Sequence, residues 1–438
     1  MAAKRGPLGR IRHGMLRRGH RTLRRALLMA LVPLVRMRQV QRTDRLKIRI
    51  LLQHAYGAGG TIRTVLNLCG HLAQEHDVEL VTVVRDRQDP CFRIPDGVRV
   101  TVADDRRNKP TNRAIRLMTR LPSLLTPAGD ASFRSMNLWT DLRLVRALCR
   151  SAPDVLIGTR PSLNLLIAAL APRGTITIGQ DHMNLPSYRP HLRREILRWY
   201  GRLTALAVLT EVSRADYEAA LAGTPVRIVK IPNAVPELSG SGPSPRDAKV
   251  VLAAGRLTRQ KGFDLLIRAY EPIAADHPDW TLRIFGGGPH RDRLRKMIAD
   301  LGLAGRVDLR PRTLDLPGEM RRASIYVLSS RFEGMPMVIL EAMSLGLPVV
   351  AFDCPTGPGE MITSGHDGLL VPPGDQAGLT AALRKLIEDA PLRDRLGEEA
   401  LRSVRAYDMA RVGAQWQHLL ADLHPQKPVA ATTRVQAS

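Results

Sequence analysis

The chain has 438 residues, 44% of them apolar, and a formal net charge of +25. The apolar share supports a sizeable core and excludes wholesale disorder, and the length suits two or three domains. The charge asks for an anionic partner: a phosphorylated ligand, an acidic membrane surface or nucleic acid.

The charge is uneven. Residues 1–43 hold twelve Lys or Arg and no acid, and enclose the apolar run ALLMALVPLV at 26–35. Ten apolar residues are too few to cross a bilayer as a helix. A basic stretch followed by an apolar one has the order of a signal peptide. VRMRQVQRTDR follows in place of a small-residue cleavage site, so secretion ranks low. Two readings of this N-terminal extension, residues 1–45, stay open: an anchor on an anionic membrane surface, or a disordered, solvated leader. Cys69, Cys91, Cys149 and Cys354 are scattered. They imply neither a disulfide framework nor a metal site, and they fit a reducing compartment.

From residue 46 the pattern is strand, glycine loop, helix, strand: the apolar run Ile48–Leu52, Gly57, Gly59 and Gly60, the helical TVLNLCGHLA, then VELVTVV at 78–84. DVLIG (154–158), TITIG (175–179), ALAVLT (205–210) and RIVKIP (227–232) continue it, with helical patterns between most of them. The Gly-, Ser- and Pro-rich stretch at 237–247 reads as a linker, set at 239–247. The pattern restarts with KVVLAAGRL, WTLRIFGGG, RVDLRP, SIYVLSS and LPVVAF. The domains expected are 46–238 and 248–405, then a helical segment at 406–424 and a polar tail at 425–438. Alternation of this kind predicts two α/β domains, each a doubly wound parallel sheet, facing one another across a cleft. Ligands of open α/β sheets bind beyond the carboxyl ends of the strands.

Those ends carry the candidate chemistry. In GRLTRQKGFD, Arg256 and Lys261 follow a strand that ends at Gly255. A forked guanidinium and a point-charge ammonium at a strand's end suit a pyrophosphate, or are two solvated loop cations. The three glycines of FGGGPH allow close backbone approach to a ligand, or only make a turn. In RFEGMPMVILEAMSLGLPVVAF, the helix PMVILEAMSL is apolar nearly all round and so is expected to be buried, with Pro336 in its first turn and Gly346 at its end. Glu341 then sits in or near the core, where a carboxylate needs partners. Either a ligand's hydroxyls supply them or a core arginine does. Glu333 precedes the helix beside the backbone of Gly334 and Met335. Two acids about two turns apart suit hydrogen bonds from separate polyol groups better than proton sharing.

Glu333-GMPMVIL-Glu341 resembles the Glu-x7-Glu signature of the retaining GT-B glycosyltransferases of family 4, and GRLTRQKGFDLLI, LEAMSLGLPVVAFD and GHDGLLVPPGD resemble the same family, over roughly residues 46–422. The resemblance implies a GT-B architecture of two Rossmann-like domains. It implies that Arg256 and Lys261 hold the donor diphosphate and that Glu341 binds the nucleotide ribose. Glu333 would contact the donor sugar, and the amides of Gly334, Met335, Pro336 and Met337 would touch sugar or phosphate. Gly59 and Gly60 match the loop that closes over the donor phosphate, and Arg312, in RPRT, stands where the base is gripped. His182, in GQDHMN, stands where many members place a histidine near the transferred sugar. Asp181 receives no role, and Arg63 either faces the cleft or decorates a helix surface. DCPTGPGEMI, 353–362, resembles members that build bacterial polysaccharides and lipid-linked oligosaccharides.

The function expected is transfer of a sugar, with retention, from a nucleotide diphosphate sugar of the UDP type to a hydroxyl of a glycan or lipid-linked acceptor in bacterial cell-envelope polysaccharide synthesis. No cofactor or divalent metal is called for if the two cations neutralise the leaving group. The site would be cytoplasmic, with the basic extension on the inner face of the plasma membrane. Two rivals are a non-hydrolysing sugar-nucleotide epimerase, which needs no acceptor, and a basic nucleic-acid binder. Aromatics are only 4% of the chain, with no aromatic–basic interleaving and no zinc or recognition-helix motif, so a nucleic-acid partner is not expected.

Overall fold

A computed structural model describes residues 7–36, 45–236, 238 and 242–424, with side chains from residue 19 onward. The polar tail at 425–438 and parts of the basic extension and the linker lie outside the described residues.

Seven short, apolar strands form the first sheet: β1 (Lys47–Leu52), β2 (Asp77–Arg85), β3 (Arg99–Asp105), β4 (Val155–Gly158), β5 (Ile176–Asp181), β6 (Ala205–Val208) and β7 (Arg227–Lys230). Six form the second: β8 (Val250–Ala254), β9 (Thr281–Phe285), β10 (Val307–Arg310), β11 (Ile325–Leu328), β12 (Val349–Phe352) and β13 (Gly368–Val371). All pairings are parallel, in the orders β3-β2-β1-β4-β5-β6-β7 and β10-β9-β8-β11-β12-β13. Order reverses between β1 and β4, and between β8 and β11. These are the switch points at which such sheets open a crevice. The two doubly wound domains are as expected. β3 and β13 were missed. β3 is a half-buried edge strand whose VTVADD ends in acids, and β13 is only four residues long.

The basic extension departs from the disordered, solvated reading in its second half. Pro7–Arg36 is one helix, α1, and Leu28 (1% exposed) and Val35 (0%) belong to the first domain's core. Arg24 is buried at 2% exposure; its Nε donates to the Leu125 carbonyl at 2.8 Å, and a terminal nitrogen pairs with Glu195 at 3.1 Å. Arg25 takes the other Glu195 oxygen, and His20 Nε2 lies 2.8 Å from the Ser123 carbonyl oxygen. The apolar run at 26–35 packs in part on the helix Pro161–Leu170, while Met29 and Leu34 stay exposed.

The linker also docks in part. Ser244 is buried and donates to the Ala323 carbonyl, and Arg246 pairs with Asp394 at 2.9 Å. The helix Met409–Leu423 returns to the first domain, where Val412, Trp416, Leu419 and Leu420 complete the core beside β1 and β4.

Candidate active site

The carboxyl ends of both sheets face one cleft of about 2100 Å³. From the first domain it is lined by Gly59 and Gly60 at the start of helix α2 (Gly60–Leu72), and by Asp181 and His182 at the end of β5. From the second it is lined by Gly255 and Arg256 after β8, Gly286 and Gly287 after β9, and Arg312 after β10. Arg256 and Arg312 are exposed to it. Lys261, Glu333 and Glu341 are not lining residues; each is held in an ion pair beside the cleft.

The loop after β8 turns through Gly262, whose φ of +63° is left-handed and whose Cβ, if present, would lie 2.0 Å from the Ser329 carbonyl oxygen. Glycine is required there, and the turn sends the Lys261 side chain back under Gly255. Lys261 Nζ meets Glu333 Oε1 at 2.6 Å, and Ser330 Oγ donates to the same oxygen at 2.5 Å. Glu333 is 6% exposed, so an ammonium, a hydroxyl and the more distant Gln260 amide together satisfy it. Ser330 was missed; its only signal is the spacing Ser-x-x-Glu.

Glu341 is held differently. It projects from a helix of two turns, Met337–Met343, with Pro336 as the N-cap rather than within the first turn, and Gly346 left-handed just past its end. Burial raises the Glu341 carboxyl above its ordinary range, and Arg63 opposes the rise. The Arg63 guanidinium, from the first turn of α2 in the other domain, lies 3.3 Å from Glu341 Oε1 and 5.6 Å from the Phe92 ring centre. Arg63 is not among the cleft-lining residues but reaches across to the other domain, and the partner found for Glu341 is an arginine. Pro336 has no N–H, so of the four backbone positions expected to contact sugar or phosphate only Gly334, Met335 and Met337 can donate.

Gly334 marks where the domains touch. A Cβ there would stand 2.3 Å from the His182 carbonyl oxygen. Asn184 donates to Thr356 at 3.1 Å close by, and Glu360 caps the helix Glu211–Ala220 across the boundary by accepting from the amides of Glu211 and Val212. His182 Nε2 is buried and has no hydrogen-bond partner among the described residues. Burial pushes its imidazole down to about 4, so the ring is neutral near pH 7. Asp181 has an environment of its own: Tyr188 and Tyr217 donate to its two oxygens, the Met183 amide donates to one of them, among the described residues no cation pairs with it, and burial pushes the carboxyl up to about 6. Both tyrosines were missed in sequence, since they arrive 7 and 36 residues downstream. Among the described residues no cluster of His, Cys, Asp or Glu could hold a metal ion.

Comparison with known proteins bears on the fold and on one domain. Residues 235–403 match the family described as Glycosyl transferases group 1. An exopolysaccharide phosphotransferase of Streptomyces coelicolor is 37% identical over 394 residues, 86% of this chain; the chain spans only 41% of that protein's length. The amylovoran biosynthesis glycosyltransferase AmsD of Erwinia amylovora is 27% identical over 296 residues, covering 65% of this chain and 83% of AmsD. S. aureus TarM, solved as a mutant with fondaparinux, alpha-GlcNAc-glycerol and UDP, superposes with a TM-score of 0.70 at 14% identity, over 85% of this chain and 99% of TarM. Residues 235–403 thus form a domain of the glycosyl transferases group 1 family, and the chain as a whole has the GT-B fold.

Proposed function

We propose that the chain is a retaining enzyme of glycosyltransferase family 4. It moves a sugar from a UDP-sugar to a hydroxyl of a glycan or lipid-linked saccharide in bacterial cell-envelope polysaccharide synthesis. One observation carries the reading: Arg256, the Lys261–Glu333 pair and Glu341 converge beside one cleft, where the two sheets present their carboxyl ends. UDP bound to TarM supports the donor, and the exopolysaccharide in the name of the Streptomyces relative supports the setting.

The donor diphosphate lies against Arg256 and Lys261. Ribose hydroxyls donate to Glu341 in place of Arg63, and the sugar lies toward Glu333. As the bond from the anomeric carbon to the phosphate oxygen breaks, negative charge grows on the diphosphate, and the two cations stabilise it electrostatically. The acceptor oxygen forms its bond on the face the diphosphate leaves, and its proton passes to the departing phosphate oxygen. A neutral His182 can hydrogen-bond a sugar hydroxyl without adding charge. Closure of the cleft excludes water.

The test is binding of a panel of UDP-sugars, and acceptor-dependent release of UDP, by wild type, Glu341→Ala and Arg256→Ala. Binding of one UDP-sugar that both variants lose supports the assignment; no binding of any member by wild type removes it. A second reading has one observation behind it, the phosphotransferase name of the Streptomyces relative. Transfer of a sugar phosphate would release UMP, so the nucleotide product separates the two.

No described helix is long and apolar enough to cross a membrane. A peripheral, cytoplasmic site is proposed, with the basic N-terminal region on anionic lipid. Because α1 is part of the core, the test is salt-sensitive cosedimentation with vesicles of about 30% phosphatidylglycerol, not deletion. Equal recovery on neutral vesicles would remove the membrane role.

A further inference from the structure

Beyond the donor residues, the cleft continues to an end built by the first domain alone. Leu23 of α1, Phe133 and Arg134 of the turn Ala131–Ser135, and Arg189 and Leu192 at the start of the helix Pro190–Trp199 line it. This wall is constructed, not incidental. Arg24, one residue from Leu23, is buried between the Leu125 carbonyl and Glu195, and Glu195 belongs to the same helix as Leu192. His20, one turn earlier, packs edge-on against the Phe133 ring at 5.3 Å.

The charges in this wall are unequal. Arg160 is neutralised by Asp130 at 2.7 Å. Arg134 and Arg189 are exposed, and among the described residues neither has an acidic partner. Two uncompensated guanidinium groups in one cavity repel, and a neutral sugar gives no reason to keep both. Their forked donors match the oxygens of phosphate or carboxylate. Leu23 is 53% exposed, and it leaves an apolar strip beside the two cations with Phe133 and Leu192.

We propose that this end of the cleft binds an anionic amphiphile: a phosphate or carboxylate held by Arg134 and Arg189, with an apolar portion along Leu23, Phe133 and Leu192. Calling that ligand the acceptor rests on the glycosyltransferase reading; the binding chemistry does not. The proposal makes α1 a substrate-facing element.

The test uses the full chain with saturating UDP, so that the cations of the donor site are occupied. Four probes are titrated by calorimetry, the three amphiphiles below their micelle concentrations: dodecyl phosphate, dodecanoate, dodecyl maltoside and inorganic phosphate. At least one of the two anionic amphiphiles is expected to bind about tenfold tighter than the neutral amphiphile or phosphate alone, and the tighter of the two identifies the anion. Arg134→Gln with Arg189→Gln removes about tenfold or more of that affinity, Arg134→Lys with Arg189→Lys restores part of it, and Leu23→Ser weakens it by about threefold. Equal affinity for dodecyl maltoside and the anionic probes, or an unchanged double variant, overturns the proposal. UDP affinity, titrated separately, keeps the two readings apart. If UDP binds and the anionic amphiphiles do not, this site falls and the transferase reading stands. If the amphiphiles bind through Arg134 and Arg189 while UDP fails, the donor reading falls and the site stands.

Discussion

The two carboxylates before and within the helix Met337–Met343 are neutralised by different parts of the molecule. Glu333 is satisfied within its own domain by Lys261 and Ser330, with side-chain exposures of 8% for Glu333 and 15% for Lys261. Glu341 is paired across the cleft with Arg63, at 13% and 26%. The first arrangement is fixed once the second domain folds. The second exists only while the domains are close, so a ligand that takes Glu341 from Arg63 also changes what holds the domains together. Asp181 is a third case, with two tyrosine hydroxyls and, among the described residues, no cation.

Breaking the in-domain pair should have the largest effect. Lys261→Ala leaves Glu333 buried and uncompensated; a loss of about 3–5 kcal/mol of stability and about 10²–10³-fold in turnover is expected, read by chemical unfolding and UDP release. A small change in both would mean that Glu333 is protonated or rehydrated at no cost.

Asp181 sharpens the contrast through pH. Its folded-state value of about 6 lies above its ordinary 3.8, so its stabilising contribution is complete below pH 3.8 and is lost as pH rises through 6, about 3 kcal/mol in all. His182, lowered from 6.5 to about 4, has the opposite sign over much of that window. The difference between wild type and Asp181→Asn therefore isolates the carboxyl: wild-type stability minus that of the variant should fall by about 3 kcal/mol between pH 4 and 6, and parallel curves would refute the assignment.

Gly334→Ala tests the domain contact without touching charge. Its Cβ meets the His182 carbonyl, which is backbone and yields little, so the domains must separate locally, at about 1–3 kcal/mol. A roughly tenfold loss of turnover is expected with the second domain's unfolding midpoint nearly unchanged; full activity would show that closure tolerates the shift.

The smallest effect belongs to the cross-cleft pair. A partly exposed pair contributes at most about 1 kcal/mol, so Arg63→Ala should loosen the domains only slightly, seen as faster amide exchange in α2. Without Arg63 the Glu341 carboxyl moves further up. As pH falls, binding of a UDP-sugar by the variant should therefore begin to weaken at a higher pH than that of wild type. An equal pH dependence would separate Arg63 from Glu341 in function.

The second domain was the more readable half. Its strands are short apolar runs that end in glycine or charge, and Gly262 and the Arg256–Lys261 spacing are local features. What escaped depends on distant pairing. Nothing local to Arg63 names Glu341, 278 residues away, and nothing near Asp181 names Tyr217. The basic extension misled because charge dominates its composition. Arg24 looks like one more solvated cation until Glu195, 171 residues on, supplies its counter-charge.

The helix Met409–Leu423 has a consequence for how the protein is made. The first domain's sheet is complete at Lys230, yet Val412, Trp416, Leu419 and Leu420 close one face of its core. At 5–20 residues per second, those side chains leave the ribosome about 10–40 s after the sheet does. For that interval the nascent first domain carries an open hydrophobic face. Chaperone occupancy on stalled nascent chains should be highest between the emergence of β7 and that of Trp416.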